Sequence, residues 1–122
     1  MTPPLSIRPF IGAQDFDESR RFYQDLGFSE TVLSPSLSVF RNASLSFYLQ
    51  NAYVRDWVDN TMVFLEVANV DEFWKELIAR NLTAKYTTIR LEPVRLQDWG
   101  SVCYIHDPSG VLWHVGEFVK TR

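Results

Sequence analysis

Apolar positions along the chain follow two rhythms, and the two rhythms occur in the same order twice. The run Ile7 to Ala13 (IRPFIGA) is short, apolar and strand-like. A helical pattern follows, with Phe16, Phe22, Tyr23 and Leu26 spaced to share one face. Asp15 precedes that pattern and Glu18 stands three residues on, the arrangement of a capping box. Gly27 closes it with the residue best suited to the left-handed conformation after a helix. The same grammar returns 54 positions later, where Met62 to Val67 (MVFLEV) is strand-like, Asn69 replaces Asp15 and Glu72 replaces Glu18. Asn81 then takes the place of Gly27, and Asn is the next most tolerant residue for that conformation. Phe73, Trp74, Leu77 and Ile78 give the second helix its apolar stripe.

Three further strand-like segments follow each helix, bounded by Ser, Asn, Pro or Gly. In the first half they run from Ser29 to Leu33, Leu37 to Arg41 and Ser44 to Gln50. In the second half they run from Thr83 to Ile89, Ser101 to His106 and Val111 to Phe118, with Arg90 to Gly100 read as a loop. The chain is therefore expected to be one α+β domain over 1–122. It would comprise two βαβββ modules, 5–50 and 61–119, joined by a linker over 51–60 that carries Tyr53 and Trp57. Neither half has enough core to stand alone, so the two sheets are expected to form one curved half-barrel with helices outside. The length of 122 residues, with 46% apolar and 15% aromatic, is that of an ordinary folded domain rather than a disordered segment.

Charge and cysteine content narrow the function classes. Twelve Lys and Arg stand against 15 Asp and Glu, a formal net charge of −3, and the basic residues are scattered, which disfavours a nucleic-acid partner. Cys103 is the single cysteine, so neither an intrachain disulfide nor a cysteine zinc site can be built. No apolar run approaches the length that crosses a bilayer, and Met1 to Ser6 lacks the features of an export signal, so a cytoplasmic location is expected.

Four segments carry a family resemblance: Asp15 to Phe28 (DFDESRRFYQDLGF), Val67 to Leu77 (VANVDEFWKEL), Gln97-Asp98-Trp99-Gly100 and Asp107-Pro108-Ser109-Gly110. Each alone has an ordinary structural use as a helix, cap or turn. Their order and repetition resemble the vicinal oxygen chelate superfamily, which contains glyoxalase I, extradiol dioxygenases, fosfomycin-resistance enzymes and bleomycin-resistance proteins. The resemblance implies four metal-ligand positions, which fall here on Arg8, Tyr48, Met62 and His114. Arg8 has no lone pair to give, Met62 is a soft thioether, and a Tyr48 phenol would need deprotonation from a pKa of about 10. No metal and no cofactor are therefore expected. A register slip of one residue would bring Thr61 or Glu66 nearer, and Glu66 with His114 and His106 is the remaining grouping.

Among metal-free members the chain is most similar to the bleomycin-resistance proteins, through Asp59-Asn60-Thr61-Met62, Val70-Asp71-Glu72-Phe73 and Gln97 to Gly100. Pro9 matches the place where, in that family, the first strand crosses to a second subunit; a plain edge-strand proline is the alternative. Strand alternation from the four ligand positions turns Phe10, Phe64 and Glu66 to the same side as Arg8, Tyr48, Met62 and His114. Val111, Trp113 and Val115 go to the helix side. With Trp99, whose counterpart in the family flanks the drug, this gives a wall of Phe10, Tyr48, Met62, Phe64 and Trp99 with Arg8, Glu66 and His114 as polar points. Two other uses stand beside it: the aromatics fill a small barrel, and Arg8 pairs with Glu66. An inward Arg8 favours an anionic group on the ligand. The expectation is a metal-free homodimer that sequesters a planar, partly aromatic small molecule in a groove at the dimer interface. The alternative is a glyoxalase- or dioxygenase-type lyase, isomerase or transferase, with a shifted metal site or with His114 as general base and Tyr48 as acid.

Overall fold

The computed structural model describes residues 2–119. The first half runs β1 (Phe10–Gly12), α1 (Phe16–Leu26), β2 (Ser29–Ser34), β3 (Leu37–Asn42), β4 (Leu45–Gln50). A short helix α2 (Arg55–Asp59) leads into β5 (Met62–Glu66), α3 (Val70–Ala79), α4 (Leu82–Lys85), β6 (Arg90–Gln97), β7 (Gly100–His106) and β8 (Leu112–Phe118). The strands form two four-stranded mixed sheets, ordered β1-β4-β3-β2 and β5-β8-β7-β6. The repeat read in the sequence is thus also a repeat of topology: in each half the first strand lies parallel to the last, with Phe10 opposite Tyr48 and Phe64 opposite His114. The architecture is α+β as expected, and each half keeps its own sheet without closing into a barrel.

The helix caps form where the side chains dictate. Asp15 accepts a hydrogen bond from the Glu18 amide and Asn69 from the Glu72 amide, both at 3.0 Å. Gly27 (φ 116°) and Asn81 (φ 53°) both hold positive φ. Phe16, Phe22, Tyr23 and Leu26 are buried as the stripe on α1 requires. On α3, Leu77 is buried, Phe73 and Trp74 pack at the margin of the core, and Ile78 is left exposed.

Three expectations need correction. Thr83 to Ile89 is not a strand; Leu82–Lys85 is a helical turn that begins at Asn81 and inserts Leu82 into the core. The segment read as a loop is instead β6, the edge strand of its sheet. Pro93 lies at a register shift between Glu92 and Arg95, where an edge strand can lose an amide without losing a ladder bond. The linker contains α2, which Val58 anchors in the core while Trp57 faces solvent.

The helix faces of both sheets share one apolar core. Trp113 of β8 packs against Tyr23, Phe28 and Phe47 from the first half. Its indole Nε1 donates to the Tyr23 hydroxyl at 2.9 Å, which in turn donates to Asp107 Oδ2 at 2.6 Å. Burial, with the Asp107 carboxylate beside it, pushes the Tyr23 pKa far above that of a free phenol, so the hydroxyl keeps its proton.

Glu30 ties α1 to β2 and β3. It accepts from Arg20 Nε (2.6 Å) and Nη2 (3.2 Å), from the Ser38 hydroxyl (2.6 Å) and from Gln24 (2.8 Å). Burial opposes ionisation of this carboxyl, but the bonds from Arg20 and Ser38 outweigh it and hold the pKa below the ordinary value. A depressed folded-state pKa gives stability that is present above the unfolded carboxylate value and lost as pH falls through the folded one. Acid titration of the unfolding free energy is expected to show this loss, and E30Q should flatten it at a cost of about 1 kcal/mol at neutral pH.

Candidate binding site

Residues paired across neighbouring strands share a face, so the ladders define which side chains stand opposite the helices. On the second sheet one row is Phe64, His114, Tyr104 and Glu92, the next is Met62, Leu112, His106 and Arg90, and a third is Glu66, Gly116, Val102 and Arg95. On the first sheet Phe10, Tyr48, Val39 and Thr31 form one such row. Val111, Trp113 and Val115 point to the core as alternation requires.

The eight expected site residues fall into separate groups. On the first sheet Phe10 stacks on Tyr48 with ring centroids 4.7 Å apart, and Arg8 Nη1 donates to the Tyr48 hydroxyl at 3.2 Å. On the second sheet Phe64 contacts Trp99 at 5.7 Å and His114 at 6.4 Å. Met62 and Glu66 flank Phe64 on β5 and are exposed. Among the described residues no hydrogen bond or ring contact joins the two groups. Phe10 is 55% exposed and Met62 65%, so neither fills a barrel interior.

Other pairings differ from expectation. Arg8, just before β1, pairs with Tyr48 of β4 rather than with Glu66 of β5, whose sheet no ladder joins to the first. His106 is taken by Glu92 at 2.6 Å, with Arg90 at 3.2 Å, and so is not gathered with Glu66 and His114. Among the described residues no three His, Cys, Asp or Glu side chains stand close enough to hold a metal ion. Tyr48 and His114 are not in contact, so within one chain they do not form an acid–base pair. His114 is held by the rings of Tyr104 (5.1 Å) and Phe64, with no hydrogen bond among the described residues to orient it as a base.

Two residues complete the aromatic group and were not among those expected. Phe118 contacts both Phe64 (5.6 Å) and Trp99 (5.1 Å). It sits at the same parity as His114, so alternation carried four residues further along β8 finds it. Tyr104 lies directly across from His114, a relation that needs the β7–β8 register. Gly116 makes the cluster compact: a Cβ there would lie 2.6 Å from Phe64 Cζ and 3.0 Å from Trp99 Cη2. The two rings therefore rest directly on the backbone of β8. Trp99 comes from the turn between β6 and β7, and Val119 N donates to its carbonyl at 2.9 Å, which fixes the turn against the end of β8.

A cleft of about 400 Å³ opens between Ser44 with Leu45–Phe47 of β4 and Val63–Leu65 on β5, with Leu5, Ile7 and Pro9 on its rim. Of the expected site residues it contains Phe64. β1 covers β4 only from Tyr48 to Gln50, and the segment before Pro9 leaves the sheet with Leu5 97% and Ile7 96% exposed.

No protein-family model and no curated protein sequence matches the chain. Solved structures do. A bleomycin-binding protein complexed with bleomycin superposes with a TM-score of 0.78 at 19% identity, over 93% of this chain and 98% of that one. The bleomycin-binding protein of bleomycin-producing Streptomyces verticillus, complexed with copper(II)-bleomycin, gives 0.78 at 21% identity, over 94% and 97%. Lactoylglutathione lyase from Agrobacterium tumefaciens gives 0.68 at 20% identity, over 94% and 95%. The chain thus has the fold of the vicinal oxygen chelate superfamily, whose members here include both binding proteins and enzymes.

Proposed function

We propose that this chain is a metal-free binding protein for a planar, partly aromatic small molecule. The observation that carries the reading is the group formed by Phe64, Trp99 and Phe118. These rings pack on one another on the sheet face that the core does not use, and Phe64 and Phe118 remain 45% and 47% exposed. Large aromatics kept half in water on a rigid sheet give a flat ligand a stacking surface at little ordering cost. Metal chemistry finds poor support, because Arg8, Tyr48 and Met62 offer no ordinary donors for magnesium, zinc or ferrous iron.

A homodimer belongs to this reading. The apolar segment with Leu5 and Ile7 stands off the sheet just before Pro9, beside an edge of β4 that β1 leaves open. Exchange of that segment between two copies would bury Leu5 and Ile7 against the partner.

Titration with bleomycin and with a flat heteroaromatic such as acridine is expected to quench tryptophan emission at micromolar concentration, with most of the response lost in Trp99→Ala. Native mass spectrometry of the same sample is expected to give a dimer without metal. Unchanged emission with both compounds would remove the binding reading. One divalent metal per chain would put the lyase or isomerase reading first.

A further inference from the structure

The side chains on the open sheet faces carry a charge opposite to that of the protein. By cross-strand register these faces hold Arg41, Arg90 and Arg95, and Arg8 joins them through its bond to Tyr48. Against these four cations stand the carboxylates of Glu66 and Glu92, in a chain whose formal net charge is −3. Glu92 is already engaged by His106 at 2.6 Å and by Arg95 at 3.4 Å.

Arg41 and Arg8 have no ion-pair partner among the described residues, and of the two only Arg8 is half-buried. Its Nη1 reaches only the neutral Tyr48 hydroxyl, its guanidinium lies 5.7 Å from the Tyr48 ring centroid, and its Nε is buried without a hydrogen-bond partner. A buried donor left unmatched is destabilising, and a suitable acceptor would recover that loss. The Nε–Nη2 edge of a guanidinium is a planar two-donor fork, and its natural complement is a carboxylate held through both oxygens. Phe10 and Tyr48, stacked beside it, place an aromatic surface next to that fork.

Building on the ligand-binding reading above, we propose that the ligand is a carboxylate: a flat aromatic acid whose carboxylate is received by Arg8. Both the charge and the geometry of the acceptor are then specified.

The test is isothermal titration calorimetry with naphthalene-2-carboxylate and its neutral analogue naphthalene-2-carboxamide, on the wild-type protein and on Arg8→Gln and Arg8→Lys. The wild type is expected to bind the carboxylate about tenfold more tightly than the amide. R8Q should lose that preference while keeping its affinity for the amide. R8K, which retains the charge without the fork, should keep part of it. Equal affinity for the two compounds in the wild type overturns the carboxylate assignment and leaves the flat-ligand reading standing, as does a full preference surviving in both R8Q and R8K. No binding of either compound overturns both readings.

Discussion

Replacing Asp107 with alanine is expected to lower the unfolding free energy by about 4 kcal/mol, the largest loss from any single polar residue in the core. The carboxylate is fully buried and does two jobs. Oδ1 accepts from the amides of Ser109, Gly110 and Val111, each at 2.9 Å, and so shapes the turn that enters β8. Oδ2 accepts from Tyr23, which itself accepts from Trp113. Alanine strands these donors in a dry interior, where each unsatisfied group costs about 1–3 kcal/mol before relaxation. Asparagine keeps the Oδ1 acceptor and leaves Tyr23 able to accept rather than donate, so Asp107→Asn should cost only about 1–2 kcal/mol. Urea denaturation of the three proteins checks the order. A loss in D107A no larger than in D107N would mean that the turn amides are satisfied by solvent. Because the helix faces of both sheets share one apolar core, the unfolding transition should stay a single step in both variants.

This network explains what a reading of the sequence reached and what it missed. The caps at Asp15 and Asn69, the left-handed Asn81 and the turn at Asp107–Gly110 are local, set by side chains within a few residues of the backbone they serve. Parity along β8 was equally legible, since alternation has only two solutions and Trp113 and His114 separate cleanly into core and open face. The bond from Tyr23 to Asp107 spans 84 positions and leaves no local pattern. β6 was hidden because Pro93 reads as a breaker and the register shift spaces the core-facing Leu91 and Val94 by three rather than two. Thr87, Thr88 and Ile89 have the β-branched character of a strand, yet the turn at Asn81 and the burial of Leu82 commit the preceding residues to a helix. The Arg8–Glu66 pair, one of the alternatives open in the sequence, does not form for a related reason. Charge complementarity with Glu66 is visible in the sequence, whereas the separation of the two sheets is not.

At the aromatic site the decisive position carries no aromatic ring. Gly116→Val is expected to weaken binding of a flat ligand by about 2 kcal/mol, roughly thirtyfold, while changing stability by less than about 1 kcal/mol. Valine favours a strand, and β8 pairs on both sides with β5 and β7, so the backbone accepts it. Its side chain would enter the space now held by the outer edges of Phe64 and Trp99, at 2.6 and 3.0 Å from the new Cβ. Both rings are partly exposed side chains and can tilt away, which keeps the energetic cost to the fold small. The tilt opens the contacts that Phe64 and Trp99 make with each other and with Phe118, so the aromatic surface on which a planar ligand would rest is broken up. Calorimetric titration with acridine, alongside thermal unfolding of the same protein, separates the two effects. Wild-type affinity in G116V would mean that the ligand does not stack on this cluster. A comparable loss from Trp99→Ala, not additive with that of G116V in the double variant, would place both substitutions on one surface.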